Sequence, residues 1–270
     1  MANLRTRLVL ASLVACALVG TFGAISALGG KRLTKSSKTV EVSSGGHGSA
    51  TARCDRGTRA VSGGFSIDWI IGGPTPFPDQ SSRTGRRGWT TEGINFGTSG
   101  NLTTYAYCRG GKIASRTVSR EIGPGGTGTV TARCARGMRA VSGGFNADEF
   151  TGAPDDPRFY IGVSRKVGRR AWEVGAANTG SVPGDLTVKI NCREGRRLKT
   201  RSTSGEKPGL FNLDATCKRG ERVVSGGFAD PTFAGESATR LYAFQRLGRR
   251  TWHLYGYGDE VTLYAYCEPR

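Results

Sequence analysis

Three copies of one cysteine-bearing segment constrain this chain more than any other feature. They run Cys54-Asp55-Arg56-Gly57-Thr58-Arg59-Ala60-Val61-Ser62-Gly63-Gly64-Phe65, Cys134-Ala135-Arg136-Gly137-Met138-Arg139-Ala140-Val141-Ser142-Gly143-Gly144-Phe145 and Cys217-Lys218-Arg219-Gly220-Glu221-Arg222-Val223-Val224-Ser225-Gly226-Gly227-Phe228. Each continues to a Gly-Arg-Arg-x-Trp element (Gly85 to Trp89, Gly168 to Trp172, Gly248 to Trp252) and closes on a strand-like segment ending in Cys108, Cys192 or Cys267. A feature repeated at a fixed pitch serves the architecture first, and a feature that occurs once is a weak candidate for a shared activity. The repeats occupy residues 38–112, 113–197 and 198–270. At about 75–80 residues each, they lie near the lower limit for a self-supporting core.

No segment carries sustained helical periodicity, and the 42 glycines punctuate the chain with turns throughout. Strand signals are clear at Thr127 to Cys134, Arg139 to Phe145, Phe159 to Lys166, Ala171 to Asn178 and Leu186 to Cys192. The expected fold is all-β, with five or six antiparallel strands per repeat. The repeats form either tandem β-sandwich-like units or one pseudo-threefold assembly. Leu186, Val188, Ile190 and Cys192 alternate with polar residues, which puts the cysteines and, by phase, Trp89, Trp172 and Trp252 inside. The same register sends Tyr105, Tyr107, Tyr264 and Tyr266 outward. The paired glycines of Ser-Gly-Gly-Phe read as sites of close approach by a strand or a tryptophan.

Of seven cysteines, Cys16 lies in the N-terminal apolar stretch and six fall two per repeat, with no Cys-x-x-Cys pair and no recurring histidine. That is a disulfide framework and not a zinc site. Two pairings treat the repeats alike, one within each repeat and one linking each repeat to the next. Pairing within the repeat (Cys54 with Cys108, Cys134 with Cys192, Cys217 with Cys267) is favoured, since it staples units that could fold one at a time.

Disulfides imply an oxidising compartment. Arg5 and Arg7 precede an apolar run from Leu8, and small residues near Ser26 and Ala27 supply cleavage sites, so residues 1–28 read as a secretory signal. The alternatives are an uncleaved anchor through residues 8–28, and a lipoprotein box at Leu13-Val14-Ala15-Cys16. Residues 29–37 read as a basic flexible linker. The formal charge of +18 changes little when Arg5 and Arg7 leave with the signal. An exported protein this basic associates with polyanions, so the expected partner is an anionic polysaccharide or cell-envelope polymer rather than nucleic acid. A membrane enters only through the N-terminal segment.

The search for chemistry is mostly negative. His47 and His253 have no partner recognisable from spacing and read as surface residues. Asp148, Glu149, Asp155 and Asp156 share one loop without ordered ligand spacing. Asn95 and Asn178 follow their tryptophans at one distance, where the third copy has Gly258, which suggests a turn with positive φ. No catalytic set, cofactor or metal is expected. The recurrent candidates are the arginine pairs Arg86/Arg87, Arg169/Arg170 and Arg249/Arg250, three equivalent basic spots able to grip a polyanion multivalently.

The combination of Cys-x-x-Gly, Val-Ser-Gly-Gly-Phe, Trp-x5-Asn and a closing Tyr-Ala-Tyr-Cys resembles a repeat of exported proteins of high-GC Gram-positive bacteria, over residues 48–268. Asp55, Ala135 and Lys218 stand where that repeat usually has proline. The resemblance implies secretion, a β fold and a disulfide, and no reaction. More distantly, three cysteine-containing β repeats are similar to the vitelline-membrane outer-layer proteins, a β-prism. The expectation is an exported, non-enzymatic cell-surface or extracellular binding or structural protein. The alternative is a glycoside hydrolase with its carboxylates on the loop from Asp148 to Asp156.

Overall fold

The structure is a computed structural model that describes residues 32–68, 77–148, 158–205, 209–233 and 239–270. Repeat 1 supplies β1 (Thr34–Val42), β2 (His47–Arg53), β3 (Arg59–Ile67), β4 (Phe77–Thr84), β5 (Gly88–Ile94) and β6 (Gly100–Arg109). Repeat 2 supplies β7 (Ala114–Ile122), β8 (Thr127–Arg133), β9 (Met138–Ala147), β10 (Phe159–Val167), β11 (Ala171–Asn178) and β12 (Gly184–Glu194). Repeat 3 supplies β13 (Lys199–Gly205), β14 (Gly209–Thr216), β15 (Glu221–Ala229), β16 (Arg240–Leu247), β17 (Thr251–Gly258) and β18 (Val261–Pro269). Strand β1 begins at Thr34, so Thr34 to Ser37 are strand where a linker was expected. Their polar side chains, Thr34, Lys35, Ser36 and Ser37, suit an edge strand paired on one side only, with β6.

Each repeat divides into two half-sheets, and each half joins a half from a neighbouring repeat. The three six-stranded antiparallel sheets run β1-β6-β3-β16-β17-β14, β2-β5-β4-β9-β12-β7 and β13-β18-β15-β10-β11-β8. The seams are short. Phe65 pairs with Phe244, Phe145 with Ser81 and Phe228 with Ser164. At the corners one sheet edge faces the next and side chains cap its open carbonyls: Ser36 Oγ donates to Arg53 O (2.8 Å), Arg120 to Thr129 O (3.1 Å) and Thr203 Oγ1 to Asp214 O (2.9 Å). The repeats are therefore not separate beads but one closed pseudo-threefold assembly.

The Val-Ser-Gly-Gly-Phe signature builds the axis. A β-bulge falls at the valine of each copy, between Ala60 and Ser62 in β3 and between Val223 and Ser225 in β15, with its counterpart opposite Asn191 and Cys192 in β9. A bulged residue loses its ladder partner, so its carbonyl needs another donor. The next repeat supplies it. Ser142 Oγ donates to Val61 O (2.6 Å), Ser225 Oγ to Val141 O (2.5 Å) and Ser62 Oγ to Val224 O (2.6 Å), a cyclic set that locks the three repeats together.

The two glycines do different work. A Cβ on Gly63, Gly143 or Gly226 would lie 2.2 Å from the ring of Trp89, Trp172 or Trp252 of the same repeat. A Cβ on Gly64 would lie 2.0 Å from Phe244 O, and one on Gly144 2.3 Å from Ser81 O, both across a seam. The first glycine seats the tryptophan and the second admits the neighbouring repeat.

The disulfides form within repeats as expected, Cys54–Cys108, Cys134–Cys192 and Cys217–Cys267, closing loops of 54, 58 and 50 residues. In the chain-entropy account loops of this length contribute roughly 4 kcal/mol each. The three repeat tryptophans, Trp89, Trp172 and Trp252, are buried. The outward placement of the tyrosines is corrected: Tyr107 and Tyr266 are buried, and Tyr105 and Tyr264 are partly buried. Alternation assumes one solvent face, but these closing strands are covered on their second face by a neighbouring repeat. The Tyr107 ring packs edge-on against Trp252 (5.4 Å) and its hydroxyl accepts from the Arg246 N–H (2.7 Å). Tyr266 does the same with Trp172 (5.4 Å) and the Lys166 N–H (2.7 Å).

Asn95 and Asn178 are also corrected. Among the described residues no non-glycine has positive φ, and both side chains are buried ties. Asn95 Nδ2 donates to Val42 O (3.0 Å) and Thr98 O (2.7 Å), and Asn178 Nδ2 to Ile122 O (3.1 Å) and Val182 O (2.8 Å). Where Gly258 replaces them, the fully buried Asp230 closes the loop by accepting from the Thr239 N–H (3.1 Å).

Candidate functional site

Closure collects the basic residues at one end of the axis. In every seam the start of β3, β9 or β15 lies beside the end of β16, β4 or β10, so all three Gly-Arg-Arg hairpins point the same way. Gly85, Gly168 and Gly248 open these hairpins with φ of 58°, 63° and 61°, the left-handed region that favours glycine. The arginines that follow are exposed at all six positions, Arg86, Arg87, Arg169, Arg170, Arg249 and Arg250. Their backbone is pinned to the disulfide strands: Arg87 O accepts from Cys54 N (2.9 Å), Arg170 O from Cys134 N (2.7 Å) and Arg250 O from Cys217 N (2.8 Å). A fixed backbone under exposed guanidinium groups is a positioned basic surface.

Two further arginine sets sit at this end, and both lie inside the signature. Arg56, Arg136 and Arg219 precede the left-handed Gly57, Gly137 and Gly220 and are exposed. Arg59, Arg139 and Arg222 follow each first cysteine at a constant distance and converge toward the axis. Their recurrence was legible in the sequence, but nothing there distinguished it from the recurrence of structural residues. The residues just after the closing cysteines complete the cluster as Arg109, Arg193 and Glu268.

Glu268 is the acid at the centre. It accepts from Arg109, from Arg139 Nη2 (3.0 Å) and from Arg222 Nε (2.8 Å), one arginine from each repeat. Burial opposes its charge, but the hydrogen bond and charge of Arg109, with Arg222 and Arg139, hold its carboxyl below the usual carboxylate range. Arg193 is pushed down by burial and then by Arg109. Lys166, half-buried near Arg197 and Arg139, is pushed down to about 8, chiefly by its partial burial. Acids collect at the opposite end: Glu41 at the end of β1, Asp68 after β3, Asp148 and Asp185 bonded to each other's backbone, and Asp259 between β17 and β18. The molecule is electrically polar along its axis.

Two clefts open beside the hairpins at pseudo-equivalent places. One, of about 770 Å³, lies between the first hairpin and the start of β7, with Arg59, Arg83 and Arg86 on its wall. The other, of about 660 Å³, has their counterparts Arg222, Arg246 and Arg249. Between repeats 2 and 3, Arg169 reaches Gly195 O (3.3 Å) and Arg139 donates to the Arg196 carbonyl, spanning the corresponding gap.

The other candidates fall elsewhere. His47 is half-buried against Asp79 (Nε2 to Oδ2, 2.9 Å) and His253 against Asp214 (Nδ1 to Oδ1, 2.9 Å), so the reading of both as surface residues without partners is corrected. Each strand pairing brings up an acid distant in sequence. Asp148 Oδ2 accepts from the Asp185 N–H (2.7 Å), a loop closure, while Glu149, Asp155 and Asp156 lie outside the described residues. The metal-like grouping of Cys217, Glu221 and Cys267 contains two disulfide sulfurs, and Glu221 is engaged by Lys199 (3.0 Å) and Arg201 (3.3 Å). Among the described residues no helix is long and apolar enough to cross a membrane. No protein-family model matches the chain, and no curated protein matches it either.

Proposed function

We propose that the protein is an exported, non-enzymatic binding module whose basic end engages an anionic polysaccharide or cell-envelope polymer. The observation that carries this reading is the convergence of three equivalent Arg-Arg hairpins at one end of a closed assembly, with acids at the other. Three equivalent cationic spots on a rigid frame suit a ligand that repeats its charge, because the second and third contacts become intramolecular once the first is made. Three disulfides favour an oxidising compartment. The signal-like residues 1–28 and the resemblance to exported repeat proteins of high-GC Gram-positive bacteria agree with export, and the three-sheet closure is compatible with kinship to the vitelline-membrane outer-layer proteins.

Polymer binding tests this reading. Affinity for a panel of anionic glycans and cell-wall polymers should fall steeply between low and physiological salt, as screening and counterion release require. Glutamine at Arg86, Arg169 and Arg249 together should weaken binding by about tenfold or more. Glutamine at Lys38, Arg120 and Arg240, which lie along the sides and toward the acidic end, should leave it nearly unchanged. Equal losses in the two triple variants would mean that only net charge matters.

A further inference from the structure

The pseudo-threefold symmetry breaks at the seam between repeats 1 and 2. At the other two seams the cation before the hairpin rests over a tyrosine, Lys166 over Tyr266 (5.1 Å) and Arg246 over Tyr107 (6.0 Å). Asn191 stands at that tyrosine position in repeat 2, and the third cation, Arg83, turns inward instead, leaving only 5% of its surface exposed. Its Nη1 donates to Ser115 Oγ (2.7 Å) and its Nη2 to Arg86 O (2.9 Å), while its Nε is buried with no acceptor. Ser115 is held in turn by Asn191 Oδ1 (2.8 Å).

Among the described residues no carboxylate pairs with Arg83. Its neighbours are cations. Lys189 Nζ donates to Arg83 O (2.9 Å), and burial, with Arg59 and Arg86, pushes the Arg83 pKa down. A buried guanidinium hemmed in by like charge is costly unless an anion compensates it. Arg83 faces the cleft of about 770 Å³, whose wall also carries Arg59, Arg86, Lys112 and Arg193, with Ile113 as an apolar surface and Glu194 as an acid.

We propose that this cleft binds the phosphate ester of a small organic ligand, its oxygens seated against Arg83, Arg59 and Arg86. Several guanidinium forks suit a tetrahedral oxyanion better than a carboxylate, which offers two oxygens and one charge. The volume exceeds what a bare anion needs and lies within the range of small-ligand sites. The apolar Ile113 surface gives the organic part a place to rest. The site shares Arg86 with the polymer surface, but its centre is Arg83, a buried residue outside the arginine pairs at one seam only.

Calorimetric titration of the full chain at low salt tests it, with glycerol 3-phosphate, inorganic phosphate and glucuronate as probes. Glycerol 3-phosphate should bind with one-to-one stoichiometry, about tenfold more tightly than inorganic phosphate, and glucuronate should give no measurable heat. Arg83→Gln should lower affinity by at least about tenfold, and Arg120→Gln should leave it unchanged. Since Arg83 is buried, Arg59→Gln, at a partly exposed position, serves as the second variant and should show a similar loss with an unchanged melting midpoint. Absence of phosphate binding, equal binding of glucuronate, or equal loss in Arg120→Gln would overturn the proposal, and inorganic phosphate binding as tightly as the ester would overturn its organic half. Polymer binding by Arg83→Gln should persist, which keeps failure here distinct from failure of the polymer reading.

Discussion

Alanine at Gly64 is expected to destabilise the protein by more than about 3 kcal/mol, the upper end of what overpacking usually costs. The added Cβ would lie 2.0 Å from Phe244 O and 3.2 Å from Gln245 Cα. These are backbone atoms of another repeat, with no rotamer to turn. Relief requires β3 and β16 to separate, and with them goes a seam only two residue pairs long. The informative comparison is Gly57→Ala, where the added methyl meets nothing within 4 Å but φ is 82°. Left-handed strain alone costs roughly 1–2 kcal/mol. Denaturant unfolding of both variants under oxidising conditions decides the matter. A loss at Gly64 no larger than at Gly57 would mean that the seam yields and does not hold the repeats in register.

Glutamine at Glu268 is expected to cost about 3–5 kcal/mol at neutral pH, the effect of removing one partner from a buried ion pair. Arg109 and Arg139, both buried, and Arg222 would then face one another without a carboxylate. The pH dependence follows from the direction of the Glu268 shift. Its folded pKa is depressed, so its stabilisation is fully present above the unfolded value of about 4.3 and is lost as pH falls through the folded pKa. The stability gap between wild type and Glu268→Gln should be flat from neutral pH to about 5 and should narrow below about 4. A gap that stays constant into acid would show that the carboxylate charge is not what joins the three repeats at the axis.

Much of this architecture is legible in the sequence because repetition separates what the fold needs from what varies. The tryptophans, the paired glycines and the disulfide pairing stand in the signature, and β8 to β12 lie close to the strand segments read from the sequence. What escaped reading has a common physical cause: it depends on contacts between repeats. Tyr107 and Tyr266 alternate with core residues and so read as exterior, yet closure gives their strands a second buried face. Strands β1, β7 and β13 are polar edge strands, and β7 is exposed at every position but its last, so they carry no core pattern to detect. The arginine pairs could be named from recurrence alone. That they share one end with Arg59, Arg139 and Arg222 could not, since it follows from seams between strands of different repeats. The role of Ser62, Ser142 and Ser225 was hidden for the same reason, because each hydroxyl finds its acceptor in another copy.

Excision of the second repeat, residues 113–197 with its disulfide formed, tests most directly whether closure makes this fold. In the whole protein β9, β12 and β7 complete a sheet begun by repeat 1, and β10, β11 and β8 complete one begun by repeat 3. Alone, the fragment would leave Val141 O without the Ser225 hydroxyl, Trp172 without the Tyr266 ring, and both half-sheets with open seam strands. Thermal and denaturant unfolding, followed by near-ultraviolet circular dichroism, should show no cooperative transition for the fragment and a single one for the full chain. A fragment that unfolds cooperatively with a native-like tryptophan signal would contradict the account, returning the protein to three independent beads whose arginine hairpins share no fixed surface.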